Sequence, residues 1–146
     1  MEIRKIVVPV DFSEHSEVAL QTAIGLAKQS KATLHLLHSY PIYVGDLSPY
    51  AFSLPPNMDR DVRDAAATQL GQWAEKAKAQ GVGVETTLTP TPACQATVEL
   101  ADEIHADLIV IGTRGLSGLK HVMLGSIAER TVRTAHCPVL TVKAKH

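Results

Sequence analysis

Apolar residues occupy every position of the run Ile6-Val7-Val8-Pro9-Val10. A strand without a polar face needs cover on both sides, which is the environment of a parallel sheet with helices above and below. Asp11-Phe12-Ser13 leads out of it into a segment that predicts a helix from Glu14 to Lys28, with Ser13 as its N-cap. Ala32 to His38 is a second strand, rich in leucine. Tyr40 to Asn57 carries prolines without a period and reads as a long loop or flap. A clean apolar stripe at Val62, Ala66, Leu70, Trp73 and Ala77 then predicts a second helix that Gly81 ends.

From Val82 to Leu88 the pattern alternates, with Val82, Val84, Thr86 and Leu88 on one face and Gly83, Glu85 and Thr87 on the other. Such one-sided burial marks an edge or near-edge strand. A third helix shows Ala93, Ala96, Leu100, Ala101 and Ile104 on its apolar side, and Leu108 to Ile111 is again wholly apolar and therefore central. A glycine-containing loop follows, then a fourth helix over Ser126 to Ala135 and a last strand over Val139 to Val142, opened by Pro138. The alternation of strands and helices predicts one α/β domain over 1–146, a doubly wound five-stranded parallel sheet of order 3-2-1-4-5. Strands 1 and 4 then bracket the crevice where open α/β sheets bind ligands. Asp11 follows one and Gly112 the other.

Composition narrows the function. A net charge of −1 lacks the basic excess that nucleic acids and anionic membranes require. No basic start precedes an apolar segment and no long uncharged apolar run occurs, so the expectation is a cytoplasmic protein with neither secretion nor a membrane span. Cys94 and Cys137 lie far apart without metal-ligand spacing, and read as free thiols. His35 and His38, three apart on a strand, face opposite sides and cannot pair on a metal there. His15, His105, His121, His136 and His146 show no ligand spacing either, so no metal site is expected. Trp73 is core.

The chemistry concentrates in Gly112-Thr113-Arg114-Gly115 and, nine residues later, Gly125-Ser126. Glycine lets backbone N–H groups approach an anion, and the N-terminus of the fourth helix favours a phosphate. Arg114 and Lys120 add positive charge. The competing reading is a turn followed by a capping box between Ser126 and Glu129. The loop is neither a Walker loop nor a dinucleotide fingerprint. For Asp11 a helix-capping role competes with ligand contact.

Gly112-x2-Gly115-x9-Gly125-Ser126, with Val-Pro-Val-Asp11-Phe-Ser near the start and Cys137-Pro-Val-Leu near the end, resembles the universal stress protein family across essentially the whole chain. In that family the glycine spacing marks an ATP-binding branch. The resemblance implies that Pro9 and Val10 line the base pocket and that Asp11 bonds ribose or adenine. Ser39 would stand where the family usually has a valine beside the adenine. Ile111, Gly112, Arg114 and Gly115 would carry ribose and phosphates, with Gly125, Ser126, Ile127 and Ala128 closing the phosphate site. The insertion Pro41 to Pro56 is longer than the minimal pattern and would serve as a lid or reach another subunit.

The expected function is an ATP-binding, stress-response regulatory protein, a nucleotide-dependent switch with Mg²⁺ on the phosphates. An ATPase or phosphotransferase, or a nucleotide-free dimeric module, is the alternative. Asp11 and Glu129 are the only carboxylates beside the loop, and each has a capping alternative, so any hydrolysis is expected to be slow. The final strand would leave an apolar edge open, which predicts a homodimer through 138–143, a pairing the resemblance also implies.

Overall fold

A computed structural model of the chain describes residues 1–41, 58–113 and 124–144. The order of elements is β1 (Lys5–Pro9), α1 (Glu14–Ser30), β2 (Thr33–Ser39), α2 (Met58–Lys78), β3 (Gly83–Thr89), α3 (Ala93–Ile104), β4 (Leu108–Gly112), α4 (Ser126–Thr134) and β5 (Val139–Val142). All five strands are parallel, in the order β3-β2-β1-β4-β5. This is the expected doubly wound arrangement. Of the stretch Tyr40 to Asn57 read as a loop, residues 42–57 lie outside the described part of the chain, and with them most of the insertion Pro41 to Pro56.

Alternation along the central strand supplies both faces of the sheet. Ile6, Val8 and Val10 join Leu20, Ile24, Leu34, Leu36, Leu70 and Trp73 in the larger cluster, beneath α1 and α2. Val7 turns the other way and joins Ile109, Ile111, Ala101 and Ala128 in a smaller one beneath α3 and α4. The stripe expected on α2 is buried at Ala66, Leu70, Trp73 and Ala77, with Ala74 beside it, while Val62 is only half-buried. On α3 the buried positions are Cys94, Ala96, Thr97 and Ala101, and Leu100 and Ile104 pack on the smaller cluster from its rim.

On β5 no residue is fully buried, and Leu140 is 38% exposed. β5 is the outer strand of the sheet, with β4 as its one neighbour among the described residues, so its other edge is unpaired there.

Candidate functional site

Helix α1 begins where the sequence indicates. Ser13 Oγ accepts from the Ser16 N–H at 3.2 Å, and Asp11 Oδ1 accepts from the Ser13 N–H at 3.0 Å. Between them Phe12 adopts φ +66°, a left-handed conformation that costs a non-glycine residue about 1–2 kcal/mol. Its ring offsets that cost by lying 4.2 Å from the His38 ring and edge-on to Trp73 at 5.3 Å. The Val10 peptide is held from both sides: its N–H donates to Leu37 O at 2.8 Å, and His38 Nδ1–H donates to its carbonyl at 2.7 Å. The exit of β1 is thereby rigid, and Asp11 sits on it as a half-buried carboxylate.

Across the crevice, β4 ends at Gly112. The Thr113 N–H donates to Val142 O at 3.0 Å, and Thr113 O accepts from the Gly125 N–H. Gly125 is the N-cap of α4 without a side-chain cap, and its carbonyl accepts the first helical bond, from Glu129 N–H at 2.9 Å. Ser126, Ile127 and Ala128 therefore carry backbone N–H groups with no partner inside the helix, at the positive end of its dipole. The capping box between Ser126 and Glu129 does not form: Ser126 lies inside the helix, and the Glu129 carboxylate pairs with Arg133 instead.

These two ends enclose a cleft of about 440 Å³ at the carboxyl ends of β1 and β4. Of the residues expected in the site, Pro9, Val10, Asp11, Ser39, Ile111, Gly112, Gly125, Ser126, Ile127 and Ala128 all line it. Arg114, Gly115, Lys120 and His121 lie outside the described residues, so the full glycine spacing is not in view. Ser16, Leu37, Pro41, Ala93 and Thr113 also line the cleft and were not expected. Leu37 could have been found from its register, since it is the direct partner of Pro9. Ala93 opens α3, whose start shares the same end of the sheet.

Among the described lining residues Asp11 carries the only charge. The free N–H groups and dipole of α4's first turn suit an anionic group, and the opposite wall of Pro9, Leu37, Pro41 and Ala93 suits a flat apolar one. The glycine at 112 has a further cause. A Cβ there would come within 2.8 Å of the His15 backbone, so this residue is what lets the first turn of α1 close against β4.

Elsewhere the thiols are quiet. Cys94 is buried, and burial, with Asp102 nearby, pushes the Cys137 thiol up, away from the reactive thiolate. His35 pairs with its cross-strand neighbour Glu85 at 3.3 Å, while His38 faces Phe12, so the two histidines point to opposite sides. Among the described residues no helix is long and apolar enough to cross a membrane.

The chain matches the universal stress protein family over residues 2–143. It belongs to that family. A universal stress protein of Methanocaldococcus jannaschii is 39% identical over 145 residues, covering 96% of this chain and 82% of that one. Among solved universal stress proteins, one from Archaeoglobus fulgidus in complex with dAMP superposes with a TM-score of 0.70 at 27% identity, covering 98% of this chain and 100% of that one. Another, in complex with cAMP, gives 0.73 at 27% identity, covering 97% of this chain and 98% of that one.

Proposed function

We propose that this universal stress protein is a single-domain, cytoplasmic adenine-nucleotide switch that binds ATP, with Mg²⁺ on the phosphates, in the cleft between β1 and β4. One observation carries the reading: the uncapped first turn of α4 opens onto a cleft whose far wall is apolar. Relatives crystallised with dAMP and with cAMP support the same ligand class. In this reading Gly125, Ser126, Ile127 and Ala128 hold phosphates by their backbone, together with Arg114 and Gly115. Asp11 and Ile111 meet the ribose, and Pro9, Val10 and Ser39 meet the base. Mg²⁺ would supply charge neutralisation to the phosphates.

Regulation rather than turnover fits the carboxylates. Asp11 accepts from the Ser13 N–H and Glu129 pairs with Arg133, so each carboxylate already has a structural role. Phosphate release is expected at a few turnovers per hour, far below the roughly 10 per second of a median enzyme. The output is a homodimer through 138–143: the exposed Leu140 lies on an open strand edge, and a twofold axis would pair that edge with its copy.

The test is whether ATP co-purifies with the native protein and whether Gly125→Val abolishes its binding in calorimetry. Near-micromolar binding corresponds to roughly 8 kcal/mol, and a side chain against the phosphates should remove several of these. Unchanged affinity in a folded Gly125→Val protein would refute the site. Sedimentation at high micromolar concentration tests the dimer, and a stable monomer would refute the pairing.

A further inference from the structure

We infer that the outer edge of β3 is a self-association surface separate from β5, on which a second copy of this chain pairs antiparallel about a twofold axis at Thr86. β3 ends the sheet opposite β5, with β2 as its one neighbour among the described residues. Its register with β2 is unbroken from Gly83 to Thr89, so no bulge turns the edge away. The strand holds neither lysine nor proline, the residues that commonly guard such an edge. Its one charged residue, Glu85, is held within its own sheet, 3.3 Å from His35 Nδ1 on β2. Gly83, Glu85 and Thr86 are exposed.

The ladder with β2 determines which backbone groups the edge offers. The Tyr40 N–H donates to Thr89 O at 3.0 Å, so Thr89 turns its backbone towards β2. Successive residues of a strand direct these groups to opposite sides, so Glu85 and Thr87 turn inward as well, while Val84, Thr86 and Leu88 present theirs outward. A copy centred on Thr86 sets Val84 against the copy's Leu88, Thr86 against its own counterpart and Leu88 against the copy's Val84. Each pair exchanges both of its N–H···O bonds. Shifting the axis by one residue loses some of them. Centred on Glu85, Leu88 falls opposite Val82, beyond the strand, and the two Glu85 carboxylates stand opposed. Centred on Thr87, Val84 falls opposite Pro90, which has no N–H. With the axis at Thr86, Glu85 meets Thr87 and no like charges face each other. Val84 and Leu88 already pack on the larger core cluster, and the pairing continues that apolar row into the second chain. A foreign peptide would have to bring this pattern, whereas β3 read in reverse supplies it.

The experiment is sedimentation of the full chain at high micromolar concentration. It compares the wild type, Thr86→Lys, Thr86→Glu and an equimolar mixture of the two variants, with thermal melts to establish that each is folded. Thr86 is exposed, so neither substitution disturbs the core. Each variant alone sets like charges against each other across the axis and should self-associate about tenfold more weakly than the wild type. The mixture sets opposite charges there and should regain the association. Residues 138–143 are unchanged in every sample, so any pairing at β5 contributes equally and only the β3 edge separates them. Variants that sediment like the wild type would overturn the inference, whether the edge then takes a foreign peptide or nothing. A mixture no larger than either variant alone would overturn it too. Both results would leave the nucleotide cleft and the β5 pairing to their own tests.

Discussion

Gly112 and His15 touch through their backbones: a Cβ on Gly112 would meet the His15 carbonyl carbon and oxygen at 2.8 Å and the His15 Cβ at 3.0 Å. The end of β4 and the first turn of α1 are therefore packed without room for any side chain between them. Since Asp11 stands just before that turn and Gly125 is tied to Thr113 just after that strand, the contact sets the width of the cleft.

Gly112→Ala should cost about 1–3 kcal/mol, the usual penalty for forcing extra volume into a packed site. Gly25→Ala is the control, because a Cβ at Gly25 meets nothing within 4 Å and the residue is exposed in mid-helix. That exchange should stabilise by about 0.5–1 kcal/mol. Urea unfolding of both variants decides it. Equal effects would show that the His15 contact is not tight.

Ser13 and Asp11 share one turn, and their substitutions should separate. Ser13→Ala removes the N-cap acceptor of the Ser16 N–H and should lower stability by about 1 kcal/mol, with ATP affinity unchanged in the folded protein. Asp11→Ala should lower both stability and affinity. Calorimetry beside denaturant unfolding tests the split. An Asp11→Ala protein with full affinity would assign the carboxylate to capping alone.

His35 predicts a pH dependence of stability. Burial, the largest influence, pulls its pKa below the usual 6.5, with Lys5 acting the same way and Glu85 opposing. The unfolded chain then holds more protons between the two values, so stability is complete above the ordinary histidine range. It falls as pH drops through that range and levels off below the depressed folded value. His35→Gln should flatten the fall, and Glu85→Gln, which removes the opposing charge, should deepen it. Denaturant unfolding from about pH 8 to about pH 5 measures all three proteins. A His35→Gln protein with the wild-type slope would rule out this histidine as the source.

Helices α1 and α3 both end in left-handed residues that are not glycine, Lys31 at φ +60° and His105 at φ +55°. Lys31→Gly and His105→Gly should each raise stability by roughly 0.5–1 kcal/mol, because glycine adopts that conformation without the Cβ clash. Thermal melts give the answer. A loss of stability at either position would mean that the side chain contributes more than its backbone strain costs.

The sheet order and the position of the crevice were legible because unbroken apolar runs can only be central strands. Ile6 to Val10 and Leu108 to Ile111 left little choice of partner. Ser13 was equally readable, since capping is local. What escaped were contacts between distant segments. Gly112 was read as room for a phosphate, and nothing near it in the chain announces His15. Ser126 and Glu129 have the spacing of a capping box, but the bond from Gly125 to Thr113 sets the helix start one residue earlier, and Arg133 takes the glutamate. Thr113 itself went unread as a lining residue, because its role depends on Val142.

The two sides of the sheet are unequally built, with the larger apolar cluster beneath α1 and α2 and the smaller beneath α3 and α4. Stability is therefore layered, and the thinner layer should open first in sub-global fluctuations that leave the thicker one intact. Amides of α4 and β5 would exchange with deuterium well before those of β1 and β2. A nucleotide held between Asp11 and the first turn of α4 would bridge the layers, slowing exchange chiefly in the weaker one. Occupancy would then be written as protection in the very strand whose edge is open to a second chain.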